Sequence, residues 1–178
     1  MSPPRAVRTA RATLIAGGAA ALASACQFSI GGGLDYDKLE KAIAEELNSS
    51  YSSIGRQVSG VECPEQSPEP GKGATFDCTA EVDGQRVRVE STVTDDDYNV
   101  DFSTRDTLYD LPSTATALTD DLSNQLGFPV TVDCGVGLTA VEIGNTFDCT
   151  ATDGGGQERV LRITAEPVGE NDSWELLE

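Results

Sequence analysis

The sequence predicts an α+β protein of two tandem repeats, each one helix packed on a four-stranded antiparallel sheet with one disulfide. Three observations carry this. The stretch Gly73-Ala74-Thr75-Phe76-Asp77-Cys78-Thr79-Ala80 returns 71 positions later as Gly144-Asn145-Thr146-Phe147-Asp148-Cys149-Thr150-Ala151, and Val61-Glu62-Cys63 returns at the same offset as Val132-Asp133-Cys134. Each copy therefore holds two cysteines 15 positions apart, 63 with 78 and 134 with 149. Within each copy an apolar spacing of three to four gives way to a spacing of two, the pattern of a helix followed by strands. Self-similarity at a fixed offset marks a duplicated unit.

In the first copy Asp37-Lys38-Leu39-Glu40 has the form of a capping box with Asp37 as the cap. Leu39, Ile43, Leu47 and Tyr51 follow at intervals of four, with Lys38, Lys41, Glu45 and Glu46 on the other face. That stripe predicts an amphipathic helix over 37–50 with one face to bury. Val58, Val61 and Cys63 make a short strand, irregular at Gly60, and the three prolines of 64–72 make a loop. Phe76, Cys78, Ala80 and Val82 then share one face of a strand. Asp83-Gly84 predicts a type I′ hairpin turn, which needs positive φ twice. Val87, Val89, Ser91 and Val93 alternate in the next strand, 95–99 turns the chain, and Val100 and Phe102 begin a fourth. One face of such a sheet is apolar and needs a cover, which the helix stripe can supply.

Residues 104–112 read as a short connection between copies that touch. In the second copy Ser113 is the expected cap of a helix with the stripe Ala115, Leu118, Leu122 and Leu126, ended by Gly127. Val130, Val132 and Cys134 repeat the short strand, Phe147, Cys149 and Ala151 the long one, and Leu161, Ile163 and Ala165 the next. Trp174 and Leu176 fall where the last strand belongs.

Composition narrows the function. The chain has 178 residues, no histidine and a formal charge of −18. Nucleic acid is excluded as a partner, because its phosphates demand Lys and Arg. Without histidine no Ser-His-Asp or Cys-His arrangement can form, and no Gly-rich phosphate loop is present. The reading is non-catalytic, with no cofactor. Zinc would need Cys pairs at closer spacing or His partners.

The N-terminus reads as an address. Arg5, Arg8 and Arg11 precede an uncharged run from Ala12 to Ala25, then Cys26. This is the pattern of an export signal. Small residues before a cysteine resemble a bacterial lipobox, in which Cys26 takes the lipid and becomes the mature N-terminus. Losing residues 1–25 removes three arginines and no acid, moving the formal charge from −18 to −21. Cysteine arithmetic agrees: of five, four form two like-spaced pairs that can staple small cores, and the fifth sits at the lipidation position. The expected organisation is a lipoprotein-type signal peptide over 1–25, a tether over 26–33, a first repeat over 34–104 and a second over 105–178.

Two further sets of residues are candidates. Asp95, Asp97, Asn99 and Asp101 alternate like the early ligands of a calcium loop, although Val100 stands where an EF-hand places glycine. A solvated turn is the alternative. Tyr98 and Tyr109 are the aromatics least committed to the proposed cores and are candidate protein contacts.

Lys38 to Ile43, Val61 to Pro64, Gly73 to Thr79 and Thr94 to Asp97 together resemble the actinobacterial domain-of-unknown-function family 4333, found in exported lipoproteins. The second copy keeps the cysteines and Gly-x-Thr-Phe-x-Cys-Thr but lacks the charged helix and the proline after Cys134. The resemblance implies envelope localisation and a disulfide per copy, Cys63 with Cys78 and Cys134 with Cys149, and no activity. The expectation is an extracytoplasmic lipoprotein, held to the cell membrane through lipid on Cys26, that binds or scaffolds at its outer face with an envelope protein as partner. An inhibitor or sensor of one protein and a calcium-binding envelope protein are the alternatives.

Overall fold

The computed structural model describes residues 33–177. The expected signal, Cys26 and nearly all of the tether lie outside the described residues. The described residues are α+β, with two α-helices, antiparallel sheets and two disulfides.

Helix α1 (Tyr36–Tyr51) buries Leu39, Ala42, Ile43, Leu47 and Tyr51. Its cap is Asp35 rather than Asp37: the Asp35 carboxylate accepts the Lys38 amide at 3.0 Å. Glu40 does not close a capping box; its Oε1 reaches across to accept the Cys63 amide at 2.8 Å. Strands β1 (Gly60–Glu62), β2 (Thr75–Val82), β3 (Gln85–Val93) and β4 (Val100–Thr104) form one antiparallel sheet in chain order. The turn between β2 and β3 has Asp83 at φ 47° and Gly84 at φ 81°, as the Asp-Gly pair predicts. Val82, Val87, Val89 and Val93 pack fully buried against α1.

The connection at 104–112 is not a plain linker. Asp106–Asp110 is a strand, β5, and it runs directly into helix α2 (Leu111–Leu126). The cap of α2 is Asp110 rather than Ser113, whose amide donates to the Asp110 carboxylate at 3.1 Å. Pro112 sits in the first turn, where no intrahelical N–H is needed. Leu118 and Leu122 are buried, but Leu126 at the end of the stripe is exposed. Strands β6 (Val130–Asp133), β8 (Thr146–Asp153), β9 (Glu158–Thr164) and β10 (Ser173–Leu176) form a second antiparallel sheet in the order β10-β9-β8-β6. The hydroxyls of Ser123 and Thr119 tie α2 to β6, accepting the Val130 and Val132 amides.

Between the second pair of cysteines lies β7 (Leu138–Glu142), which leaves the second sheet and pairs with β5 along five residues. The corresponding stretch 71 residues earlier holds Pro68 and Pro70, which cannot donate to a ladder. Cys63–Cys78 and Cys134–Cys149 are both disulfide-bonded. Each closes a loop of ~15 residues, which contributes about 3 kcal/mol by constraining the unfolded chain.

Ile43 is wholly buried at the centre of the α1 stripe. Ile43→Ala is expected to cost about 2–5 kcal/mol, read from urea denaturation with an unchanged slope.

Candidate functional site

The residues that organise this molecule lie where the two sheets meet. Because side chains alternate along a strand, the ribbon of β5 and β7 has two working faces. Asp106, Leu108 and Asp110 lie on one, opposite Glu142, Ala140 and Leu138; Thr107 and Tyr109 lie on the other, opposite Val141 and Thr139.

The first face meets the first sheet. The Arg88 amide donates to Asp106 Oδ2 at 2.8 Å and its Nε to the same oxygen at 2.9 Å. Arg88 Nη2 also lies 3.4 Å from Glu142. Leu108 is buried in the first core, with Leu138 and Ala140 packed against it. At the far end Arg56 bridges, donating to Asp110 at 2.9 Å and to Asp83 of the β2–β3 turn at 2.9 Å. The second face meets the second sheet. Thr107 Oγ1 donates to the Glu166 carbonyl at 2.6 Å, and Tyr109 donates to Asp172 at 2.7 Å. The Tyr109 ring lies 4.8 Å from that of Phe147.

Electrostatics follow this geometry. Burial pushes the Asp106 carboxyl up, but its hydrogen bonds from Arg88 outweigh that and hold it below its ordinary value. Arg56 and the Ser113 amide hold Asp110 low as well. Burial, then hydrogen bonding to Asp172, raises the Tyr109 phenol. Tyr51, at the end of α1, is pushed up to about 12 by burial and by the Asp106 charge. Its buried hydroxyl has no hydrogen-bond partner among the described residues. The cluster therefore works as a joint.

Tyr109, expected as a contact for another protein, is 6% exposed and belongs to the packing between the sheets. Tyr98 is half-buried against the first core and donates to Glu69 at 3.4 Å. It is thus partly committed too. The Asp95 carboxylate accepts the Asp97 and Asn99 amides and the Asn99 side chain, closing the turn on itself. Asp101 lies beyond it on the exposed side of β4. Among the described residues no group of three or more His, Cys, Asp or Glu side chains could hold a metal. Elsewhere, Asp37, Glu40, Lys41, Ala44 and Val61 line an open groove between α1 and β1.

The sequence reading missed the joint. A signal was there: Thr107, Leu108 and Tyr109 are strand formers, and residues 138–141 are Leu-Thr-Ala-Val. Arg88 and Asp106 carry no pattern that pairs them.

The model of one family, Domain of unknown function (DUF4333), matches residues 18–97. That stretch covers the first sheet through β3 and both cysteines of the first pair. No curated protein and no solved structure matches the chain. No helix among the described residues is long and apolar enough to cross a membrane.

Two substitutions test the joint. Asp106→Asn is expected to lower stability at neutral pH by about 1–3 kcal/mol, since it removes a charged hydrogen-bond acceptor. A carboxyl held low in the folded state stabilises above its unfolded value, ~3.9, and that stabilisation fades as pH falls through the folded value. The melting-temperature gap between the two proteins should thus narrow below about pH 4. Tyr51→Phe removes the unpartnered hydroxyl and is expected to raise stability by about 1 kcal/mol, measured by thermal melting.

Proposed function

We propose that this is an exported, lipid-anchored protein of the cell envelope, without catalytic activity, that binds or scaffolds an envelope partner at the outer face of the membrane. We further propose that its two halves are copies of one helix-plus-four-strand module. The division of the five cysteines carries the reading. Four are paired within the fold, as suits an oxidising compartment. The fifth, Cys26, directly follows a charged and then apolar leader-like run. The chain order of the two large sheets supports duplication, since β1-β2-β3-β4 and β6-β8-β9-β10 share one antiparallel sequence of neighbours. The likeness of residues 18–97 to a family of unknown function is compatible with this role and adds no activity.

A single acyl chain anchors marginally, whereas two or more hold a protein stably at a bilayer. Seven residues, 27–33, reach at most ~25 Å, so a body tethered there works close to the surface. The side-chain charge would then keep it standing off anionic lipid rather than lying on it.

Intact mass measurement of the protein isolated from the producing cell tests the reading. The expected result is loss of residues 1–25, a diacylglyceryl group on Cys26 and four cysteines that resist alkylation until reduced. A retained leader, or a free thiol at Cys26, would refute the anchor.

A further inference from the structure

The two disulfides are set in different surroundings. Cys63 and Cys78 are 5% and 0% exposed, and Cys149 is 4% exposed, but Cys134 is only half-buried. On the first pair, Glu40 reaches from α1 to hold the Cys63 amide, and Tyr36 lies across Phe76 at 5.9 Å between ring centres. Helix α2 opens with Leu111-Pro112-Ser113-Thr114-Ala115, which has no carboxylate to reach over Cys134. Thiol–disulfide exchange goes fastest at the sulfur that an incoming thiolate can reach.

What each bond holds differs as well. The first core gathers 14 buried residues and the second 8, so the second depends more on its covalent link. The second core also divides at that link. Leu118, Leu122, Val130 and Val132 come from α2 and β6, while Ala151, Leu161 and Ile163 come from β8 and β9. β6 is an edge strand, held to β8 over four residue pairs, with Cys134–Cys149 just past their end.

We propose that Cys134–Cys149 is a reductant-accessible latch: a dithiol opens it ahead of Cys63–Cys78, and α2 with β6 then comes away from β8, exposing the apolar face of the second sheet while the first sheet stays folded. The thiolate of the dithiol bonds to Cys134 Sγ, the disulfide breaks and Cys149 leaves as a thiolate. The second thiolate of the dithiol then closes on its first sulfur and releases Cys134. Two electrons and two protons pass from the dithiol, which becomes a disulfide, to the two protein sulfurs, which become thiols. The first pair remains as a sealed staple.

Purified protein with both disulfides formed, titrated with dithiothreitol, tests this. Samples are quenched with an alkylating mass tag and mapped, and amide hydrogen exchange is followed in parallel. The expected result is tagging of Cys134 and Cys149 at a rate at least about tenfold above that of Cys63 and Cys78. Amides of 130–133, and those of 150–153 that face β6, should lose protection at that stage, while 75–93 keep theirs, and reoxidation should restore the pattern. Equal rates, the opposite order or no opening under native conditions would each overturn the proposal. So would an opened Cys134–Cys149 bond with protection of β6 and β8 intact. The variant pair Cys134→Ser and Cys149→Ser should reproduce the exchange pattern of the opened state. A double variant protected like the parent would count against the latch.

Discussion

A carboxylate taken out of water must find a cation, and Asp106 finds Arg88. The pairing holds β5 beside β3 just past the end of β4, where the Arg105 amide donates to the Arg88 carbonyl and the Arg88 amide to Asp106. Once β5 is held there, alternation places Leu108 in the first core and Tyr109 against the second. β7 is recruited as its partner, and Glu142 joins Arg88. A single strand thus serves two cores, and the arrangement of the halves rests on its register. A shift of one residue would turn Leu108 toward the second sheet and Asp106 away from its arginine.

The charge of the chain makes this joint more demanding. Acids outnumber Lys and Arg 30 to 12, and like charge disfavours compactness. The arginines answer by bridging: Arg56 joins Asp83 to Asp110, Arg88 joins Asp106 to Glu142, and Arg105 lies within 4.0 Å of Asp77, Glu90 and Glu142. Most of these partners are exposed and each contributes little alone. Asp106 is the exception, since it is buried and accepts several donors. The disulfides supply what cores of this size lack.

The joint bears on the proposed envelope role. With β5 packed on both sides, the two sheets are held against one ribbon rather than strung as beads on a linker. A partner protein would meet both halves in a set relation. The proposed latch acts on α2 and β6 and leaves the contacts of β5 with Phe147, Glu166 and Asp172 in place.

Periods and turn chemistry were legible in the order of residues because each is a local matter. Leu39, Ile43, Leu47 and Tyr51 announce a helix, Asp83-Gly84 a hairpin, and the cysteine spacing two staples, and all of these stand. Local reading failed where a choice between neighbours was settled from outside. Asp35 rather than Asp37 caps α1, and Asp110 rather than Ser113 caps α2, where it also takes Arg56. Tyr109, read as a free aromatic, is buried by Phe147 and Asp172, residues 38 and 63 positions away. By itself the sequence determined which stretches become helix and strand and which cysteines can meet. The tertiary structure alone decided that a connecting segment becomes the shared strand, because a buried charge and a two-sided ladder acquire their partners only after distant parts of the chain have come together.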